Sequence, residues 1–181
     1  MSFRFGIILS VVLLTASCGF RPLYAPSGTG SANEQVFAFD LFRKIEIARI
    51  PDREGQFLRN ELLRLLQPSG RAQVIDYGLG INLAESKANL AVRQSSDATR
   101  ANLTITAGYT LVFLETNVVV ADGSVKSTSG YNIFNSEFQT LSAEKSARER
   151  ALKDAAQQIR LRLATEFVRD DTETQSIKKQ P

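Results

Sequence analysis

The chain has no histidine and only one cysteine among its 181 residues, and past its first 17 positions no apolar run is long enough to span a bilayer. Without imidazole there is no histidine base for a serine or cysteine nucleophile, and the common zinc sites lose a ligand. With Cys18 alone, no intramolecular disulfide can form. An excess of one charge is also missing. The 22 basic and 19 acidic side chains leave a formal charge of +3, too small a balance to imply a nucleic-acid partner. Carboxylate pairs such as Asp52 with Glu54 or Glu61 sit at a helix start, where helix-terminus electrostatics explains them. Gly78 and Gly80 lie in a strand pattern with no helix after them, which argues against a phosphate-binding fingerprint. These absences point to a protein that is not an enzyme and needs no cofactor or metal.

What is present begins with an export pattern. Arg4 and the amino group precede the apolar run from Gly6 to Leu14, and the small residues Thr15, Ala16 and Ser17 follow. As a helix, the uncharged stretch from Phe5 to Ser17 spans only about 20 Å, short of a bilayer's hydrocarbon. Residues 1–17 therefore read as a signal peptide. The junction Thr15-Ala16-Ser17-Cys18 resembles the lipobox of bacterial lipoproteins, with Thr15 in place of the usual leucine. That resemblance implies cleavage before Cys18 and acylation of its sulfur and new amino group. Several acyl chains on one residue make a stable anchor, at about 0.8 kcal/mol per buried methylene. A bilayer is thus expected as one partner, reached through the acyl chains on Cys18.

Residues 18–35 hold prolines, glycines and small polar residues, the composition of a lipidated tether in which Phe20, Leu23 and Tyr24 are free to dock. Residues 36–170 are expected to form one domain. Alternation at Ile45 and Ile47 predicts a first strand over 43–50. Leu58, Leu62, Leu65 and Leu66 then give a helical stripe over 53–66, with Asp52 as the cap, Pro68-Ser69-Gly70 as the end, and Arg59 and Arg64 outward or flanking. From Tyr77 the period becomes two. Tyr77, Leu79, Ile81 and Leu83 alternate, and Leu90 and Val92 resume after the polar stretch 84–89, giving one irregular strand or two short ones. The clearest alternation, Leu103 to Phe113, predicts a strand over 101–114 that is about 45 Å long. A further strand includes 125–134. Its hairpin turn falls either at Asp122-Gly123 or at Glu115-Thr116-Asn117 with the glycine as a bulge. Ser142 can cap a helix over 143–168 whose apolar face runs from Ala147 to Phe167, with Glu144 and Arg148 paired on its surface. Residues 171–181 read as a mobile tail. The fold class is α+β: two helices on one face of a four-stranded antiparallel or mixed sheet, in the order β-α-β-β-β-α.

The segment Cys18-Gly19-Phe20-Arg21-Pro22-Leu23-Tyr24 resembles the opening of mature proteins of the LptE family, the lipopolysaccharide-assembly lipoproteins. Chain length and element order agree with that family. The resemblance implies an outer-membrane lipoprotein facing the periplasm and a barrel lumen, acting as plug and assembly partner of the LptD β-barrel in a one-to-one complex. It implies a part in carrying lipopolysaccharide to the outer leaflet. Gly19 fits that destination, because aspartate after the cysteine is associated with inner-membrane retention. Lipopolysaccharide carries phosphates and acyl chains, so its recognition needs basic donors near apolar surface. Lys87, Arg93 and Arg100 bracket the polar interruption and its loop, and Lys126 joins them if the hairpin brings it alongside. These four are the candidate lipopolysaccharide contacts, and Phe20, Leu23 and Tyr24 the candidate docking residues. A generic periplasmic lipoprotein that binds another envelope protein without touching lipopolysaccharide is the alternative.

Overall fold

A computed structural model describes residues 40–89 and 99–178. The elements follow in the expected order: β1 (Ile45–Ile47), α1 (Asp52–Leu66), β2 (Tyr77–Asn89), β3 (Thr99–Phe113), β4 (Val118–Ile133) and α2 (Glu137–Lys178). The sheet order is β1-β2-β3-β4. β1 runs parallel to β2 and the other neighbours are antiparallel, so the sheet is mixed and α1 is the crossover between two parallel strands. Both helices cover the same face.

β1 is shorter than the 43–50 expected. A helical turn occupies residues 40 to 43, and strand pairing stops at Ile47 before Pro51, although Ala48 still donates its N–H to the Leu79 carbonyl at 2.9 Å. Phe42 and Ile50, on either side of the strand, are buried all the same.

α1 buries Leu58, Leu62 and Leu66, as the stripe predicts. Its start differs from expectation. Pro51 is the cap residue in extended conformation, no side chain caps the helix, and Asp52 is already helical with φ at 64°. Aspartate tolerates that left-handed region better than most residues, and Asp52 and Glu54 still place negative charge at the positive end of the helix dipole. Arg59 also departs from a free surface charge: its Nε donates to the Ile47 carbonyl at 3.2 Å, tying α1 to β1.

β2 is one unbroken strand through the polar stretch to Asn89, paired with β3 as far as Asn89 opposite Ala101. Leu90 and Val92 lie outside the described residues. The β3–β4 register resolves the hairpin. The turn lies at Leu114–Asn117, with Asn117 at φ 55°, and the register shift falls between Leu111 and Val112, leaving Val120 as the extra residue. Gly123 marks neither the turn nor the bulge. It stands opposite Tyr109, and a Cβ there would come within 3.0 Å of the tyrosine hydroxyl, so the glycine makes room for the ring.

α2 begins at Glu137, earlier than Ser142. Ser142 is inside the helix, where its carbonyl accepts a hydrogen bond from the Ser146 hydroxyl. The start is tied instead by Thr140, whose Oγ1 accepts from the Phe134 N–H at 2.9 Å. Phe138 and Leu141 in these first turns are exposed, which is why the apolar period begins only later. The helical backbone continues to Lys178. The expected face from Ala147 to Phe167 is buried, its alanines letting the helix approach the sheet and Phe167 closing the core against Tyr77 and Phe42 at 5.3 and 5.9 Å between ring centres.

Candidate functional site

One face of the three long strands is packed beneath the helices through Leu79 and Ile81, Leu103 to Leu111, and Val125 and Tyr131. Among the described residues, the other face carries no helix. Alternation and register set what it presents: Asn82, Ala84 and Ser86 from β2; Asn102, Thr104, Thr106 and Thr110 from β3; Ser124, Thr128 and Asn132 from β4. Gly78, Gly80, Gly108 and Gly130 share this face. Arg100, Lys126 and Asp122 are the charged side chains these strands place there. Most of its donors and acceptors are thus small and neutral, and some pair across strands, as Thr104 Oγ1 does with Thr128 Oγ1 at 2.9 Å.

The structure divides the four basic candidates. Lys87 is opposite Leu103 and therefore on the helix side, where its Nζ lies 2.6 Å from Glu144 Oε1 and 3.7 Å from Glu85. Arg100 and Lys126 are on the helix-free side. Lys126 is opposite Thr106, six residues along β3 from Arg100, a separation of roughly 20 Å. Arg93, like Cys18, Phe20, Leu23 and Tyr24, is outside the described residues. The described candidates therefore do not form one cluster.

Lys87 belongs to an ionic clasp that sequence reading found only in part, through the four-residue spacing of Glu144 and Arg148. Arg148 on α2 grips Glu85 of β2 through two bonds of 2.6 and 2.8 Å, bonds Glu144 at 2.7 Å, and lies 3.8 Å from Glu54 of α1. Hydrogen bonds from Arg148 hold the Glu85 carboxyl below its usual range, and those from Lys87 and Arg148 do the same for Glu144. Hydrogen bonding to Glu85 raises Arg148, and hydrogen bonding to Glu144 raises Lys87. Burial, followed by the nearby Glu144 charge, raises the Tyr131 hydroxyl. The clasp joins both helices to the sheet where apolar cover gives out.

Among the described residues, no group of three or more histidine, cysteine, aspartate or glutamate side chains could hold a metal, and no helix is long and apolar enough to cross a membrane. A two-helix layer over one face of a mixed four-stranded sheet, with a largely neutral polar face opposite, defines a class: a two-layer α+β domain. The chain belongs to the LptE lipopolysaccharide-assembly family, whose model matches residues 42–163. Members are non-catalytic, and membership gives the chain a general role as a lipopolysaccharide-assembly lipoprotein of the outer membrane.

Solved structures share the fold. A protein described as a lipoprotein from Caulobacter crescentus superposes with a TM-score of 0.57 at 22% identity, covering 75% of this chain and 96% of its own. Rare lipoprotein B of Shewanella oneidensis gives 0.54 at 10% identity, with 70% and 96% covered. A minor lipoprotein of Acinetobacter baumannii gives 0.52 at 18% identity, with 68% and 91% covered. No curated protein matches this chain in sequence at a significant level.

Proposed function

We propose that this chain is a plug and assembly partner of an LptD-like β-barrel, bound one-to-one, and that it contacts the lipopolysaccharide that the barrel inserts into the outer leaflet. The observation that carries this reading is the helix-free sheet face. Its hydroxyls, amides and glycines suit the polar interior of a large barrel, where a charged or apolar surface would be poorly matched. Lipid on Cys18 would hold the chain at the outer membrane, facing the periplasm and the barrel lumen, with Phe20, Leu23 and Tyr24 of the tether docking on the partner. Lys87, Arg93, Arg100 and Lys126 remain the proposed lipopolysaccharide contacts. Of these, Arg100 and Lys126 are the two described ones on the open face, while Lys87 would have to exchange its glutamate partners for a phosphate.

The test is affinity capture of the lipidated chain from gently solubilised outer membranes, with mass identification of what stays bound. A large β-barrel at one-to-one stoichiometry is the expected result. Absence of any barrel, under conditions that preserve known barrel complexes, would leave a generic envelope lipoprotein.

A further inference from the structure

β1 covers only the start of β2, from Tyr77 to Leu79. Past Ala48, whose N–H reaches the Leu79 carbonyl, the chain leaves the sheet, because Pro51 has no N–H for a ladder and α1 starts at Asp52. From Gly80 to Asn89 the outer side of β2 is therefore a sheet edge among the described residues. The Tyr77 N–H and the Leu79 carbonyl both point to that outer side, and the β2–β3 register continues without a break. The backbone groups of Leu83, Glu85, Lys87 and Asn89 thus point the same way. No hydrogen bond within the described residues takes them up. β4, at the opposite edge, is treated differently. Its carbonyls at Lys126 and Gly130 accept from Gln158 Nε2 at 3.4 Å and Arg150 Nη2 at 3.2 Å on α2, and Val120 is bulged out of register. Covering side chains and bulges defend an edge against strand addition. The charged side chains that could screen β2, Glu85 and Lys87, are instead drawn over the helix side by Arg148 and Glu144.

What such an edge accepts is another unpaired strand. A closed barrel has none, whereas a second copy of this chain carries the same one. We propose that two copies pair antiparallel through residues 83–89 of β2, joining their sheets across a two-fold axis at Ser86. Charge fixes the register. Outward groups on odd-numbered residues let Glu85 face Glu85, Lys87 face Lys87, or Glu85 of each copy face Lys87 of the other. Only the last sets opposite charges together, and it does so twice. In that register Ser86 meets Ser86 and Ala84 meets Ala88 on the helix-free side, small side chains that let the strands close. The contact is short, so the dimer belongs to the weak, reversible class. It goes beyond the proposed function, and because the proposed barrel complex holds one copy, it describes the chain apart from that partner.

The experiment uses the full mature chain with Cys18→Ser, so that an introduced thiol is its only one. Across the new pair Ser86 is a non-hydrogen-bonded position, its two Cα atoms about 4.5 Å apart and within disulfide range. Ser86→Cys should therefore link into a covalent dimer under mild oxidation. Ala84→Cys, whose two copies would stand about 13 Å apart along the strands, should not. Sedimentation of the chain carrying Cys18→Ser alone should show a reversible monomer–dimer equilibrium. Ser86→Lys, which sets two ammonium groups face to face, and Asn89→Pro, which removes an outward N–H, should each weaken it several-fold. The Ser86 and Asn89 side chains are exposed and make no described hydrogen bond, so both variants should stay folded by circular dichroism. Failure of Ser86→Cys to link, equal linking by Ala84→Cys, or a dimer undisturbed by Ser86→Lys and Asn89→Pro would overturn the β2 pairing. A chain monomeric at every concentration would overturn the dimer itself, and barrel capture would judge the proposed function separately in each case.

Discussion

Arg148 and Glu85, 63 residues apart in sequence, meet through two hydrogen bonds of 2.6 and 2.8 Å, so the first third of the long helix is fastened to the exposed half of β2. Planar guanidinium against planar carboxylate is a geometry that lysine cannot copy. The Arg148 side chain is 20% exposed and serves three carboxylates, so removing it leaves Glu85 and Glu144 facing each other with Lys87 as their remaining described cation. Arg148→Ala should cost about 2 kcal/mol, and Arg148→Lys should recover only part of that. Urea unfolding of the three proteins at pH 7 checks the order.

The same clasp sets an acid limit. The Glu85 and Glu144 carboxyls are both held below the ordinary glutamate value of 4.5 by hydrogen bonds from Arg148 and Lys87. A depressed carboxyl contributes stability that is fully present above the unfolded value and is lost as pH falls through the folded one. Stability from this source should therefore be flat from pH 7 to about 5 and fall below 4.5. Lys87 acts at the other end: raised above 10.5, its contribution persists below that value and disappears as pH rises through its folded one. Urea midpoints measured from pH 3 to pH 7 should drop less steeply for Arg148→Ala than for the wild type.

At Gly55 two effects compete. Alanine in a helix is favoured over glycine by up to about 1 kcal/mol. A Cβ at Gly55, however, would lie 2.6 Å from Ile50 Cγ2 and 3.0 Å from the Ile50 carbonyl carbon, and Ile50 is only 1% exposed. A methyl at the far end of a mobile side chain could move aside; here backbone lies behind it. Gly55→Ala should therefore be net destabilising by about 1–2 kcal/mol, read as a lower thermal midpoint.

Period and punctuation made much of this fold legible. The stripe Leu58, Leu62, Leu66 and the alternation from Leu103 to Leu111 are local patterns, and the structure buries each of these residues. Some of the errors fell where a residue answers to a partner on another element, and others at the ends of helices. Of the two places offered for the hairpin turn, the one at Glu115-Thr116-Asn117 holds, and Gly123, which could be read as a turn or a bulge, instead stands opposite Tyr109 on the adjacent strand. Thr140 rather than Ser142 fastens the start of α2, since exposed Phe138 and Leu141 hid the first turns from a burial pattern. Likewise Lys87, Arg100 and Lys126 looked like one group by sequence, but strand parity puts Lys87 on the opposite side of the sheet. Arg150, whose Nη2 donates to the Gly130 carbonyl at 3.2 Å, drew no notice because nothing local distinguishes an arginine bonded to a neighbouring strand from one in solvent.

The open face gives the most direct check on how the chain meets its partner. Thr106 is exposed on β3, flanked by Ala84 on β2 and Lys126 on β4, and no described hydrogen bond depends on its side chain. Substitution there should shift stability by no more than about 0.5 kcal/mol. Thr106→Val keeps the shape and removes the hydroxyl; Thr106→Trp adds a ring that stands well above the small residues around it. If this face seats against a barrel wall, Thr106→Trp should lower the recovery of the one-to-one complex several-fold while Thr106→Val largely preserves it, with both variants folded by circular dichroism. A hydroxyl lost from a wet interface can be replaced by water at small cost, whereas an indole forces the two surfaces apart. Equal recovery of barrel by both variants would mean that the helix side, with its clasp and its long α2, is the side that meets the partner.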